Sequence, residues 1–337
     1  MGWLDPAPFL RGTAWLHGNR PVRADPADLE RLPRDIAARA ALPIGVRVEF
    51  TAAPGTRAVL LRYRADLPGP GDPLAGLRHC FALWNGTRLV GETCAAPAAE
   101  ATVTLPLPPG GGVFTVHLPE GQAPVPLALR ALGGALSPAP ARPRWLVHGD
   151  SITEGWWSTR PAHSWPATAG RLLGLDPVNL GYAGGARGEL PLAEQLARLS
   201  GELITLAFGT NCWSTVPATA DWLYATVRAF VGLVRRGHPD TPLLIVSPVL
   251  RPEAEHTRNA LGATLTDLRG AMERAGRDLA AEGDTGLHVL PGRPLLGPEH
   301  LADGLHPDDR GHARIATAVA EALRPYVPAG RPAPSGT

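Results

Sequence analysis

The chain has 337 residues, of which 44% are hydrophobic and 19% charged, with a formal net charge of +1. Such a composition excludes a disordered or fibrous chain, and the length favours two domains over one. Near-neutrality without a dense arginine cluster excludes nucleic acid and anionic membranes as partners, and the absence of any lysine excludes Schiff-base, P-loop-lysine and Ser-Lys chemistry.

The N-terminus, "MGWLDPAPFLRGTAWLHG", lacks the basic start and apolar core of a secretion signal. No stretch approaches the roughly 18 apolar residues of a membrane span. A soluble cytoplasmic protein is expected. Short runs of β character follow: "VRVEFT" from Val46, "AVLLRYRA" from Ala58, "CFALW" from Cys80, "ATVTLPL" from Ala101, "GVFTVHL" from Gly112 and "PLALRAL" from Pro126. Gly and Pro turns separate them, and Asn85-Gly86 predicts a type I′ hairpin. This half reads as an antiparallel β-sandwich. Cys80, Cys94 and Cys212 are odd in number and lack metal-ligand spacing, which predicts no disulfide framework and fits a reducing compartment.

The Pro/Ala-rich "SPAPARPR", Ser137 to Arg144, has the composition of a linker. It places one domain at 1–140 and a second at 141–327, with a tail at 328–337. Beyond it, apolar runs starting at Arg144, Asp176, Glu202, Pro242 and Leu287 alternate with helical stretches. The clearest helices are predicted over about Ala220–Arg236, Glu253–Ala281 and Asp308–Leu323. In the last, Ile315, Val319 and Leu323 share one stripe, with Asp308 or Asp309 as cap and Pro325 as stop. The alternation predicts an α/β, doubly wound parallel sheet covered on both faces, whose ligands bind beyond the carboxyl ends of the strands.

Ser151, in "WLVHGDSITEGWW", falls at the end of the first of these strands, where a nucleophile is exposed and its own amide is available as a donor. Gly149 permits a tight turn and close approach of a substrate. The α/β-hydrolase elbow G-x-S-x-G is absent. A serine needs a base, and the base needs an orienting acceptor. Asp303 and His306, three residues apart in "HLADGLHPDDRGH", supply both if the loop folds the carboxylate back onto the imidazole. Donors for an oxyanion are available at two further strand ends: the glycines of "NLGYAGGARG", and Asn211 in "AFGTNCW".

These segments, in this order, resemble the SGNH or GDSL hydrolase superfamily. "GDSIT" resembles its block I, "NLGYAGG" block II, "GTNCW" block III and "DGLH" block V. The resemblance covers roughly Arg144 to Leu323. It implies a flavodoxin-like sheet, Ser151 as nucleophile, Asp303 and His306 as its partners, and an oxyanion hole from Ser151, Gly184 and Asn211. Ala183 stands where many members carry serine, and Cys212 replaces the aspartate after the block III asparagine. "CFALWNG" and "GVFTVHLPEG" are similar to the β-sandwich or jelly-roll domain that precedes the catalytic domain in some carbohydrate-ester members.

Competing readings attach to several residues. Glu154, Trp156, Trp157 and Trp213 either line a substrate pocket or pack and cap locally. His300, His306 and His312, with Asp303, Asp308 and Asp309, lack a zinc spacing, so no metal is expected. His148 and His163 read as packing residues, and Cys212 as a small buried side chain. The expected activity is a serine carboxylic-ester hydrolase acting through an acyl-enzyme, without cofactor. Its substrate is a small-molecule ester, by resemblance a small acyl such as acetyl on a sugar or secondary metabolite. The alternatives are an acyltransferase using the same residues, and a carbohydrate-binding protein with a silent hydrolase domain. No oligomeric state is implied.

Overall fold

The computed structural model describes residues 2–65 and 80–328; of the tail expected at 328–337, all but Pro328 lies outside the described residues. In the N-terminal half the strands are β1 (Leu10–Arg11), β2 (Trp15–His17), β3 (Arg20–Val22), β4 (Arg47–Ala52), β5 (Ala58–Arg64), β6 (Cys80–Asn85), β7 (Arg88–Cys94), β8 (Ala101–Pro106), β9 (Gly112–His117), β10 (Val125–Leu132) and β11 (Leu136–Pro138), with helix α1 (Arg34–Ala40) between β3 and β4. One antiparallel sheet runs β1-β4-β9-β6-β7 with β11 added to β4, and a second runs β10-β5-β8. The alternating pattern explains their contact: Val48, Phe50, Leu83, Phe114 and Val116 from the first sheet and Val59, Leu61, Tyr63, Val103 and Leu129 from the second share one buried cluster.

Three local expectations change in this half. The β6/β7 register pairs Asn85 with Arg88, so the two-residue turn is Gly86-Thr87. Only Gly86 takes a positive φ, at 56°. That is the demand of a turn with glycine at its first central position, not of a type I′ Asn-Gly turn. Cys80 and Cys94 lie directly opposite in the same pair and form a disulfide, which the odd cysteine count concealed and which removes the argument for a reducing compartment. The Pro/Ala-rich stretch is not a free tether. Its first residues form β11 against β4, Ala139 is buried, and Arg142 pairs with Glu49.

The C-terminal half contains β12 (Arg144–Gly149), α2 (Ser151–Glu154), α3 (Trp165–Leu173), β13 (Asp176–Gly181), α4 (Leu190–Arg198), β14 (Leu203–Ala207), α5 (Ala220–Gly237), β15 (Leu243–Val246), α6 (Leu265–Ala281), β16 (Leu287–Leu290) and α7 (Asp309–Leu323). The five strands are parallel in the order β13-β12-β14-β15-β16, the doubly wound order with its switch point beside β12. Helices cover both faces, as burial of both faces of a parallel sheet requires. Trp165 and Ala169 of α3 with Ile315, Val319 and Leu323 of α7 pack on one side. Residues of α4, α5 and α6 pack on the other.

The helix expected from Glu253 begins instead at Leu265. Thr264 caps it through a reciprocal box with Asp267, while Asn259 closes the preceding turn by accepting from the Leu261 and Ala263 amides. A segment of the N-terminal half also joins the α/β core: Ala24, Leu32, Ile36 and Ala40 are buried in the same cluster as Leu180, Leu192 and Phe208. No helix among the described residues is long and apolar enough to cross a membrane.

Candidate active site

β12 is buried along its length, with Trp145, Leu146 and Val147 fully enclosed. It ends where Asp150 caps α2 by accepting from the Ile152 amide at 3.0 Å. Ser151 is thereby the first residue of a one-turn helix, and its own N–H has no acceptor among the described residues. Gly149 is required for a different reason from substrate approach. A β-carbon there would stand 2.1 Å from Thr153 Oγ1 and 2.3 Å from the Ala207 carbonyl oxygen, so only glycine lets the turn sit back on the sheet. Asp150 itself is fully enclosed; burial pushes its carboxyl up to about 7 despite the backbone amides it receives.

The chain reaches Ser151 again 155 residues later. Asp303 closes the loop by accepting from the Leu305 amide at 3.0 Å and the His306 amide at 2.7 Å, an Asx turn helped by Gly304 at φ 83°. Ala302 N–H donates to the His306 carbonyl, and Asp308 caps α7 through the Gly311 amide. Held at both ends, His306 points its ring inward. Nδ1 lies 2.8 Å from Asp303 Oδ2, and Nε2 lies 2.9 Å from Ser151 Oγ. Because the carboxylate only accepts, Nδ1 carries the proton and Nε2 is left to accept from the hydroxyl. Burial pushes the Asp303 carboxyl up. The hydrogen bonds from the His306 amide and ring and from the Leu305 amide outweigh it, holding the group below its ordinary value. The indole of Trp156 stacks on the imidazole, with centroids 5.4 Å apart and planes at 27°.

Two neighbouring strand ends complete the surroundings. Gly149 pairs in register with Gly181 of β13 and Ala207 of β14, so the loops after all three strands meet. Gly184 adopts φ 72°, a β-carbon there would meet only open space, and its N–H has no acceptor among the described residues. Asn211 is buried and donates through Nδ2 to the Gly185 carbonyl at 2.7 Å. This ties the loop after β14 to the loop after β13, and the second amide hydrogen has no acceptor among the described residues.

The remaining sequence candidates separate. Glu154 is buried and its oxygens are taken by Arg23, Arg39, Trp156 and the Ala183 amide, so it does not line an open pocket. Trp157 is 53% exposed with a positive φ of 64°, and Trp213, partly buried, donates to the Thr257 carbonyl beneath the Arg251 guanidinium. Burial pushes the Cys212 thiol up to about 12, which keeps it an inert thiol at neutral pH.

The histidines find different partners. His148 is stacked among Tyr182, Phe208 and Phe230. His163 contacts Asp309 and packs against Trp84, and His300 accepts from the Gly297 amide. His312 accepts from the Trp165 amide and donates to the Trp156 carbonyl, while burial pushes its pKa down to about 4. Arg23, Arg39 and this role of His312 were not visible in the sequence, since each depends on a partner more than a hundred residues away.

Residues 147–314 match the GDSL-like Lipase/Acylhydrolase family. The match spans the parallel sheet together with the loops that carry Ser151 and His306, and the α/β fold around Ser151 is of the SGNH/GDSL type. Among solved structures it is similar to the salicylyl-acyltransferase SsfX3 from a tetracycline biosynthetic pathway, with 26% identity and a TM-score of 0.83 over 94% of this chain and 95% of that one. A GDSL-like lipase from Bacteroides ovatus shares 19% identity and a TM-score of 0.78 over 96% and 97%. An acetyl xylan esterase from the rumen bacterium Butyrivibrio proteoclasticus shares 13% identity and a TM-score of 0.66 over 96% and 99%. Comparison with curated protein sequences gives no significant match.

Proposed function

We propose that the protein is a serine carboxylic-ester hydrolase working through an acyl-enzyme. Ser151 Oγ attacks the ester carbonyl while its proton passes to His306 Nε2, and the Asp303 carboxylate stabilises the imidazolium that forms. The oxyanion receives the amides of Ser151 and Gly184 and the second amide hydrogen of Asn211. The tetrahedral intermediate collapses as His306 returns the proton to the leaving alcohol, and water, deprotonated by the same imidazole, releases the acid. The observation that carries this reading is the unbroken Asp303–His306–Ser151 chain at 2.8 and 2.9 Å.

A small acyl group, such as acetyl on a sugar or secondary metabolite, is the proposed substrate class, and no cofactor takes part. The antiparallel sheets are read as an accessory β-sandwich domain at 1–140 before the catalytic domain at 141–327, with Ala24–Ala40 clasping the latter. The likeness to SsfX3 over nearly the whole chain favours a second reading, acyl transfer, in which an alcohol outcompetes water at the acyl-enzyme.

A series of acyl esters of increasing chain length, run on wild type and Ser151→Ala with and without sugar and aromatic alcohol acceptors, tests both. Free acid as the main product supports hydrolysis, and acylated acceptor supports transfer. Turnover undiminished in Ser151→Ala rejects both.

A further inference from the structure

Behind Ser151 lies a buried ionic cluster that the proposed reaction leaves unused. Glu154, at the end of α2, is 3% exposed. Its Oε1 accepts from Arg23 Nη2 at 3.0 Å and Arg39 Nη2 at 2.7 Å. Its Oε2 accepts from the Ala183 amide at 2.8 Å and Trp156 Nε1 at 3.2 Å. One carboxylate therefore joins two arginines of the N-terminal half, the loop carrying Gly184, and the indole stacked on His306.

The arginines are themselves fixed. Arg23 donates to the carbonyls of Leu42, Arg39 and Gly181, and the Arg39 guanidinium lies 5.6 Å from the Trp156 ring centroid. Desolvating buried charges often offsets what their pairing contributes, so stability alone accounts poorly for this arrangement. Geometry accounts for it better. The Ala183 amide is one peptide before that of Gly184, and anchoring it limits how far the Gly184 N–H can swing away from Ser151. The anchored indole limits rotation of the His306 ring, and its π face favours the imidazolium.

We propose that Glu154 is a positioning residue that, held by Arg23 and Arg39, sets the oxyanion loop through Ala183 and the base through Trp156, so that the N-terminal segment completes the catalytic centre. This rests on the reading of Ser151, His306 and Gly184 given above.

Glu154→Gln places an amide donor against either the arginines or the Ala183 and Trp156 N–H groups, because one of its two positions can no longer accept. With p-nitrophenyl acetate as probe, kcat per titrated site is expected to fall about 30-fold, less than for loss of a direct oxyanion donor, with KM within about threefold of wild type. The rate of fluorophosphonate labelling of Ser151 falls in parallel. Arg39→Met, which keeps the aliphatic stem but removes the outer guanidinium, lowers kcat in the same direction by about fivefold. If Glu154→Gln does not fold, Arg39→Met decides alone.

Variants with a lowered melting temperature but wild-type kcat per titrated site mark a merely structural cluster and overturn the proposal, provided that wild type is labelled at Ser151 and Ser151→Ala is inactive. Failure of those two controls instead overturns the active-site reading, and the proposal with it.

Discussion

Asp150 and Asp303 each stand within three residues of one of the two groups that meet at Ser151 Oγ, yet their surroundings drive them apart. The Asp303 side chain is 32% exposed and accepts from one ring and two backbone amides, which hold it ionised. Asp150 is enclosed, receives only backbone amides, and is pushed up to about 7. Each carboxylate accepts three hydrogen bonds, so the depth of burial decides which one keeps its charge at neutral pH. The ionised one faces an imidazole that must become an imidazolium; the other caps a helix. One acts on the reaction and the other on the turn that presents the nucleophile.

Asparagine substitution at each position separates these roles. Asp303→Asn is expected to lower kcat by about 10⁴-fold, because the amide no longer enforces the Nδ1–H tautomer. Its melting temperature changes little, since the asparagine Oδ1 still accepts the Leu305 and His306 amides that close the loop. A loss below about tenfold would contradict the assigned role. Asn211→Ala comes next, with kcat reduced by about 10²–10³-fold. It also carries a stability cost of about 1 kcal/mol, because the Gly185 carbonyl loses its donor; kinetics and a urea melt on the same sample check both.

Asp150→Asn gives the smallest change in rate and the clearest pH signature. The folded-state pKa is raised, so the wild-type protein holds a proton that the unfolded chain releases. Wild-type stability therefore declines as pH rises from the ordinary carboxylate range of about 4 towards 7. The melting-temperature advantage of Asp150→Asn should widen by a few degrees across that window and level off above it. An advantage that shrinks with rising pH would show that Asp150 stays ionised.

His312 works in the opposite sense. Its lowered pKa, about 4, means that its contribution is lost as pH falls from about 6.5 to 4.

The legible parts of the molecule were those set by local chemistry. β12 and its neighbours are continuous apolar runs, and Gly149-Asp150-Ser151 and Asp303-Gly304 carry turn and cap signals that need no distant partner. Those signals place Ser151 and His306 at loop positions, and the doubly wound order brings the loops together. What stayed hidden was set by tertiary pairing. Nothing in the spacing of Arg23 or Arg39 points to Glu154, 131 and 115 residues away. The Cys80–Cys94 disulfide follows from a strand register that the turn chemistry misplaced and that an irregularity between Leu83 and Trp84 shifts by one residue more. The turn makes the need for Gly149 legible, but the sequence does not show that Thr153 and Ala207, not a substrate, occupy the space beside it.

The most direct test is intact-mass and peptide analysis after treatment with a fluorophosphonate, comparing wild type with His306→Ala. The account predicts one phosphonyl group on Ser151 in wild type, and labelling slowed by about 10³-fold or more when the imidazole is removed. An adduct on another residue, or equal labelling of the two proteins, would contradict it.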